Sequence, residues 1–316
     1  MSINLGQITA TTLKNRQPEV VDNVTNHNAL LNHLKAKGKW DTRDGGRTID
    51  CPLTYTENST VKFYDGAQES FSIPVEENID AATYDWKFQG GFVYYTEAER
   101  VKNSGKHAAV RLMKTKINNL KASLANNMST ALYADGTGSS GKSVGGLALL
   151  IDDDPTSAGT VGGIDQAANS FWNNKYSAAT ATTSSNIQSR MKAMWLSIQR
   201  GTDVPDLIVA DNIMFTHYWD SLSDLQRFTK SDKADVTAQD GIMFQQTKVL
   251  YDSACTASKM YFINSDHLEF VCAPGRKWSV GDSRSVTNAN YDVVPVFWAG
   301  NLVCSRRASQ GVIIAS

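Results

Sequence analysis

Hydrophobic and polar residues alternate with two different periods along this chain, and each period predicts a different kind of element. Between residues 47 and about 96, apolar residues fall at every second position, as at Ile49, Cys51, Leu53 and Tyr55. This alternation is typical of strands with one apolar face. Two further runs share the pattern, one at Phe71, Ile73 and Val75 and the other at Tyr84, Trp86 and Phe88.

Turn-forming residues at 56–60 and 64–68 separate these runs, which predicts an extended hairpin. Its single sheet has little of its own to pack against, and an isolated hairpin is only marginally stable in water. We therefore expect the apolar face of this hairpin to need a partner.

A period of three to four residues follows and predicts a long helix from about Ser104 to Tyr133. At about 1.5 Å per residue this helix would be roughly 45 Å long, well above the usual three turns. A shorter helix is predicted from Asp22 to Lys37, with Asp22 or Asn23 as its cap and Gly38 as its end. The apolar positions of the long helix are Val110, Met113, Ile117, Leu120, Leu124, Met128 and Ala131.

The second half of the chain mixes helices and strands without a regular alternation, which favours the α+β class. Two amphipathic helices are predicted, one with Ile187, Met191, Met194, Trp195 and Ile198 and one from Phe215 to Leu225. Strands are predicted at 206–211, 248–253, 259–264, 267–273, 293–299 and 311–315.

Composition and charge exclude several classes of protein. The 316 residues are 41% hydrophobic and 20% charged, as in an ordinary folded protein, and the net charge of -1 lacks the positive field of a dedicated nucleic-acid binder. The N-terminus resembles no export signal, and no apolar run is long enough to span a bilayer. We therefore expect a protein of the cytoplasm with no membrane contact and only weak, local contact with nucleic acid.

Charge is nevertheless divided by sign between the hairpin and the long helix. Residues 57–85 hold seven carboxylates against Lys62 alone, whereas residues 100–134 hold seven basic side chains and no acidic one. Opposed charges guide docking register more than they add affinity. We therefore predict that the hairpin of one copy lies over the helix of its neighbour; simple solvation of each charge is the alternative. The predicted contact residues are Glu57, Asp65, Glu69, Glu76, Glu77, Arg100, Lys102, Lys106, Arg111, Lys114 and Lys121.

One motif points to a different function. Residues 136–143, GTGSSGKS, match the phosphate-binding loop of NTPases, in which Lys142 would neutralise phosphates and Ser143 would bind magnesium. The apolar run 207–210 followed by Asp211 would then be its magnesium-binding partner. The context is wrong, because a phosphate loop follows a buried strand and this one follows the predicted long helix. We keep the NTPase as an alternative.

Other catalytic or metal-binding patterns are weak. The cysteines at 51, 255, 272 and 304 form no CxxC pair, and the histidines show no zinc spacing. Asp152, Asp153 and Asp154 precede Pro155 and are typical of a turn, with calcium binding as the less favoured interpretation. We therefore predict no enzyme activity, no cofactor and no resident metal.

Nearly the whole chain resembles the major capsid proteins of tailed bacteriophages. The stretches that carry the resemblance are 11–16, 22–38, 45–49, 135–147, 159–165, 171–174, 200–212, 217–228, 260–270 and 298–313. It implies the capsid fold of tailed phages and herpesviruses, with an N-terminal arm at 1–45, an extended loop at 46–96 and a peripheral domain with a spine helix at 97–150. An axial domain at 151–261 and shared C-terminal strands at 262–316 complete this expected plan.

The resemblance also implies a function. Copies of such a protein assemble into pentamers and hexamers of an icosahedral shell that encloses double-stranded DNA in the virion. Expected partners are further copies of itself, a scaffolding protein, a maturation protease, a portal and a decoration protein. Because the recognisable arm begins almost at Met1, we expect assembly guidance from another protein, from earlier cleavage or from the subunit itself. Another virion protein, such as a tail-tube subunit, is the structural alternative.

Overall fold

The computed structural model describes residues 28–63, 77–102, 106–178, 181–222, 242–287 and 289–315, and the side chains of residues 100 and 106–111 lie outside this description. The chain divides into two compact units. Unit 1 takes in the described parts of Met1–Gly45, Lys87–Gly146 and Phe270–Leu302. Unit 2 takes in those of Gly46–Trp86, Leu147–Glu269 and Val303–Ser316.

Within the described ranges, helices and strands alternate irregularly, as the α+β prediction requires. The α-helices are α1 (Ala29–Ala36), α2 (Glu97–Lys102), α3 (Lys106–Tyr133), α4 (Leu147–Leu150), α5 (Ile187–Ile198) and α6 (Asn212–Ser221). The strands are β1 (Trp40–Thr42), β2 (Thr48–Thr54), β3 (Ile79–Asp85), β4 (Lys87–Thr96), β5 (Thr160–Val161), β6 (Ile164–Asp165), β7 (Lys175–Ser177), β8 (Leu207–Ala210), β9 (Met243–Phe244), β10 (Thr247–Tyr251), β11 (Lys259–Ile263), β12 (Leu268–Cys272), β13 (Ser279–Val280), β14 (Arg284–Ser285), β15 (Tyr291–Cys304) and β16 (Gly311–Ile314).

The sheet of unit 1 has the order β1-β12-β15-β13, with β4 and β14 also paired to β15. Strands β4 and β15 are antiparallel and stay paired from Thr96 opposite Tyr291 to Lys87 opposite Gly300. The predicted strand through Tyr84, Trp86 and Phe88 is therefore wrong. The chain leaves the hairpin at Asp85 and enters this other sheet at Lys87, so the three residues do not share one strand.

The long helix of unit 1 is confirmed as α3, whose 28 residues span about 42 Å at about 1.5 Å per residue. Leu124, Met128 and Leu132 are buried at steps of four residues, which places them on one helix face. That face packs against β4, and the helix forms the spine of unit 1.

The shorter helix begins later than predicted. Asn28 is the N-cap of α1, and its side chain accepts a hydrogen bond of 2.6 Å from the amide of Leu31. The Asn28 amide donates to Ser129 Oγ of the spine at 2.7 Å, so the cap also joins the two helices of unit 1. The predicted caps Asp22 and Asn23 lie outside the described residues, whereas Gly38 ends the helix as predicted, with a φ of 70°.

Unit 2 contains a sheet of order β7-β16-β11-β8-β10-β9. Strands β8 and β10 are parallel, and β8 and β11 are antiparallel. Helix α5 is confirmed with all five predicted apolar residues buried, and it shares a core with α6, Ile208 and Phe262. The predicted second helix is confirmed as α6, which ends at Ser221; Leu225 lies outside the described residues.

Candidate inter-subunit surface

The hairpin predicted from alternation has its two described arms in β2 and β3, paired antiparallel from Thr48 opposite Asp85 to Thr54 opposite Ile79. Its apolar face is Ile49, Cys51, Ala82 and Tyr84, each at most 5% exposed. The expectation that this sheet has little of its own to pack against is therefore wrong for its root. Other parts of unit 2 already bury that face.

Two glycines of unit 2 make this burial geometrically feasible. Gly162 and Gly163 form the β5–β6 turn with φ of 63° and 79°, a region that L-residues with side chains rarely adopt. A Cβ on Gly162 would lie 3.1 Å from the Ala82 Cβ, and the Gly162 carbonyl accepts a 2.8 Å hydrogen bond from the Thr83 amide. The turn therefore lies directly against the hairpin root.

Tyr84 fixes the same root from the other arm. Its hydroxyl donates to the carbonyl of Cys304 at 2.8 Å, and burial raises the pKa of Tyr84 well above its ordinary value. The phenol is therefore a neutral donor at physiological pH. The root of the hairpin is part of the folded core of unit 2.

The distal part of the hairpin is different, because its apolar side chains face solvent. Val61 is 82% exposed, Phe63 fully exposed and Ile79 75% exposed. Glu57 and Glu77, two of the predicted contact residues, are exposed beside them. The predicted contacts Asp65, Glu69 and Glu76 and the strand through Phe71 lie outside the described residues.

A second exposed apolar surface lies on unit 1, on the face of β4 that points away from the spine. Gln89, Gly91, Val93 and Tyr95 point toward α3. A Cβ on Gly91 would meet Leu120 at 2.5 Å, and Gln89 Nε2 donates to the carbonyl of Leu124 at 3.0 Å. The intervening residues Phe88, Phe92 and Tyr94 are 75%, 63% and 56% exposed.

Neighbouring aromatic rings extend this surface. Phe92 packs edge-on against Phe297 of β15 with ring centroids 5.8 Å apart. The guanidinium of Arg276 lies 5.6 Å from the centroid of the Phe297 ring. We call Phe88, Phe92, Tyr94 and Phe297 the aromatic face. Large contiguous apolar patches on folded proteins mark interaction sites, so this face is a candidate contact surface.

Sequence reasoning missed the aromatic face, although a signal for it exists. Both the odd and the even positions of 88–95 contain bulky apolar residues, a pattern typical of a strand covered on both faces. Alternation by itself predicts one apolar face and one solvated face. The even positions remain exposed in the isolated chain.

The predicted basic residues of the spine do not behave alike. Lys102, Lys114 and Lys121 are exposed, whereas the side chains of Arg100, Lys106 and Arg111 lie outside the described residues. Lys116, which belongs to the same basic block, is bound within its own unit. Its Nζ lies 2.8 and 2.9 Å from the two carboxylate oxygens of Glu99.

Glu99 therefore removes one basic residue from any contact with a neighbour. It is only 8% exposed. Burial raises the pKa of Glu99, but hydrogen bonds from Lys116 and Thr96 and the charge of Lys116 more than offset this and lower it overall. The basic block defined from residue 100 onward begins one residue too late to include this partner.

The loop that matches a phosphate-binding motif has a different geometry. Residues 136–143 follow the spine helix α3, and no strand precedes them in the described chain between Thr96 and the loop. Ser139 and Ser140 have φ of 52° and 58°, so the motif forms a left-handed turn and does not open a helix. Lys87 Nζ donates to the carbonyl of Gly141 at 2.7 Å.

Asp211, the suggested magnesium partner of that loop, has a local role. One carboxylate oxygen accepts from the amide of Met214 at 2.9 Å, which caps helix α6. The other accepts from the amide of Ser258 at 2.6 Å. Both oxygens of Asp211 are therefore already hydrogen-bonded to the backbone.

The three consecutive aspartates of unit 2 point to different partners. Asp152 accepts from Gln166 Nε2 at 2.7 Å, Asp153 pairs with Lys259, and Asp154 accepts from Thr156 Oγ1 at 2.6 Å. Within the part of the chain that the structure describes, no group of three His, Cys, Asp or Glu side chains is arranged to hold a metal ion. The four cysteines are buried and form no disulfide with one another.

No described helix is both long and apolar enough to cross a bilayer. The basic face of α3 includes Lys114 and Lys121, which are exposed.

Solved structures similar to this chain include phage capsid proteins and an encapsulin. The cyanophage A-1(L) capsid chain is similar over 96% of this chain and 97% of its own, with a TM-score of 0.75 and 16% identity. A capsid chain of a native GTA particle is similar over 96% of both chains, with a TM-score of 0.63 and 11% identity. The holo-SrpI encapsulin of Synechococcus elongatus PCC 7942 is similar over 94% of this chain and 92% of its own, with a TM-score of 0.56 and 8% identity.

No family model and no curated protein matches this sequence. Structural similarity at such low sequence identity establishes the fold, and the activity has to be argued from the surfaces described above. The structural similarity extends over nearly the full length of both chains in each of these comparisons. This chain has the α+β fold of the tailed-phage capsid proteins.

Proposed function

We propose that this protein is a structural subunit of a phage capsid, which assembles in many copies into an icosahedral shell around double-stranded DNA. One observation carries the proposal: the same chain exposes an apolar hairpin end at Val61, Phe63 and Ile79 and, separately, the aromatic face. Exposed apolar patches of this kind are covered in functional assemblies. Contacts of one patch with the other generate closed rings when the rotation between copies closes.

In this proposal the hairpin of one subunit packs its exposed end on the aromatic face of a neighbour. The carboxylates Glu57 and Glu77 then reach past β4, which pairs only with β15 among the described strands, to exposed lysines of the neighbour. These lysines are Lys102 at the end of α2 and Lys114 and Lys121 of the spine. Burial of the apolar side chains supplies the stabilisation, while the charges select the register of docking. Pentamers and hexamers built in this way make each copy depend on several others.

The domain plan belongs to the same proposal. Residues 1–45 act as the arm, 46–96 as the extended loop and 97–150 as the peripheral domain with its spine. Residues 151–261 act as the axial domain, and 262–316 return strands to both. A scaffolding protein, a portal and a decoration protein are the proposed partners, with weak contact between the basic spine and packaged DNA.

Electron microscopy with matched variants tests the contact. Wild-type protein should form closed shells, and the triple variant Phe88→Ser, Phe92→Ser and Tyr94→Ser should remain as small, folded subunits, because it deletes the proposed landing surface. The control is Leu196→Ser, which removes a 61% exposed leucine of α5 that the contact does not use. Shells from the triple variant, or tubes from the wild type, would contradict the proposal.

Charge reversal tests the register. Glu57→Lys combined with Glu77→Lys should abolish shells, and so should Lys114→Glu combined with Lys121→Glu, because each places like charges opposite one another. Within one chain, combining all four changes should restore assembly in part. If the fourfold variant is no better than either double variant, these charges do not face one another.

A further inference from the structure

A pocket of about 330 Å³ opens in unit 2 where the hairpin leaves the rest of the unit. One wall is the hairpin segment Pro52–Tyr55. The opposite wall combines the lining residues Phe171, Trp172, Arg200, His267, Ser305, Arg306 and Ala308. Whatever occupies this pocket therefore contacts both the hairpin root and the folded body of the unit.

The apolar part of the lining comes from both walls. The ring of Tyr55 stacks on Phe171, with centroids 5.2 Å apart and planes at 25°. Trp172 is only 2% exposed, and its Nε1 donates to the carbonyl of Val161 at 2.9 Å. The surface offered by Pro52, Leu53 and these rings suits a short hydrocarbon group.

The opposite wall also carries cationic side chains, and a tight turn positions one of them, Arg200. The backbone amide and carbonyl of Arg200 are each 3.0 Å from their partners on Asp203, with Gly201 between them at a φ of 61°. This turn presents the exposed side chain of Arg200 at the pocket. Among the described residues its guanidinium has no hydrogen-bond or ion-pair partner.

Asp203 organises the remaining cationic groups. Its carboxylate accepts from His267 Nε2 and Arg306 Nη1, each at 3.0 Å, and also from the Asn264 amide. Partial desolvation raises the pKa of Asp203, but hydrogen bonds from Asn264 and His267 and the charge of Arg306 lower it overall. One carboxylate thus faces Arg306 and His267 and leaves the Arg200 guanidinium unneutralised, so the pocket keeps a net positive charge.

We propose that this pocket binds an aliphatic carboxylate, either a free short-chain acid or the side chain of a glutamate from a second copy. The carboxylate pairs with Arg200 and with the Arg306 donors that Asp203 does not use, because a guanidinium has five N–H donors in a fixed fork. The hydrocarbon stem lies on Pro52, Leu53 and Phe171. The volume is at the small end of the range for ligand sites, which limits the ligand to a few carbons.

Binding has a mechanical consequence for the hairpin. The ligand contacts residues 52–55 as well as Arg200 and Arg306. An occupied pocket therefore adds a further link between the hairpin root and the body of unit 2. The pocket is complete within unit 2 of a single chain, so binding of a free acid does not depend on the proposed capsid function, whereas occupation by a neighbour's glutamate rests on it.

Titration of the full-length, unassembled protein with glutarate at low ionic strength tests the site. Calorimetry should give saturable binding, and Arg200→Gln should weaken it about tenfold, which corresponds to about 1.4 kcal/mol. Lys192→Gln is the matched control, since Lys192 is an exposed base of α5 outside the pocket and its loss changes the net charge equally. Absence of saturable binding, or equal weakening by both variants, would overturn the proposal.

Assembled particles distinguish the two sources of the carboxylate. If a neighbouring glutamate fills the pocket, glutarate should bind the free subunit and fail to bind the particle. If a free acid is the ligand, glutarate should bind both with similar affinity. Each result supports the site and identifies its occupant, and failure to form particles leaves the free-subunit titration as the decisive measurement.

Discussion

The two large sheets of this protein differ in how completely the chain covers them. In unit 2 all four residues of β8 and Met260–Ile263 of β11 are fully buried, so the central strands are covered on both faces. In unit 1 the spine covers one face of β4, while Phe88, Phe92 and Tyr94 stay more than half exposed on the other. A sheet that is covered within the chain contributes to folding, whereas a sheet left open in this way is a candidate contact surface.

The hairpin repeats this contrast over a short distance. The apolar face of its root is at most 5% exposed, and the root is held by Gly162 and by the hydrogen bond from Tyr84 to Cys304. Its described outer part, from Val61 to Phe63 and again at Ile79, exposes nearly all of its apolar surface. One element therefore belongs to the core of its own subunit at one end and is available to a neighbour at the other.

Removing a phenylalanine side chain from each sheet tests the difference between the two sheets most directly. Phe262→Ala should lower the free energy of unfolding of the isolated subunit by about 3–5 kcal/mol, because Phe262 is fully buried and leaves a cavity. Phe92→Ala should lower it by less than about 1 kcal/mol. Urea denaturation measures both. Similar losses would mean that the exposed face already contributes to the fold of the single chain.

The hairpin root gives a smaller expected effect. Gly162→Ala should lower the free energy of unfolding by about 1–2 kcal/mol, since an alanine must adopt a φ of 63° and approach Ala82. Gly201→Ala is the control, because Gly201 has a φ of 61° but a Cβ added there would meet no atom within 4 Å. A larger loss for Gly162→Ala isolates the contact with the hairpin. Equal losses would show that only backbone strain matters there.

The pair between Glu99 and Lys116 in unit 1 should give the smallest change in the free energy of unfolding, and this change should depend on pH. Because the folded-state pKa of Glu99 is lowered, its pairing with Lys116 stabilises the protein fully above the unfolded-state pKa and is lost as pH falls through the folded-state pKa. Glu99→Gln should therefore cost about 1 kcal/mol at neutral pH and remove part of the acid-induced loss.

Denaturation curves at neutral and acidic pH measure this difference. Lys116→Gln removes the other member of the pair and should flatten the slope of stability against pH, as Glu99→Gln does. If Lys116→Gln leaves the slope unchanged, the pair between Glu99 and Lys116 is not its source.

Much of the secondary structure was predictable because each element carries its own period. Ile187, Met191, Met194, Trp195 and Ile198 lie on one face of a helix at any position in a fold, so their burial in α5 followed from spacing alone. The long spine was predictable for the same reason. Boundaries were less so, because Asn28 and Asp22 are equally acceptable caps by residue type.

For the candidate inter-subunit surface, the sequence predicted only that the hairpin is acidic and the spine basic. The sequence separates acidic and basic residues, but it cannot show that Glu99 reaches back to Lys116 or that the strand through Tyr84 and Trp86 breaks before Phe88. Those facts depend on contacts between residues far apart in the chain. The charge contact itself stays a prediction, and three of its carboxylates lie outside the described residues.

By itself the sequence determined the α+β class, the hairpin, the spine and the resemblance to capsid proteins, since periodicity and turn residues act locally. The tertiary structure alone decided which apolar faces are covered and which remain open, because burial depends on what the fold brings against each face. It also decided that Arg200, His267 and Arg306 meet at the hairpin root, where three distant segments converge around Asp203.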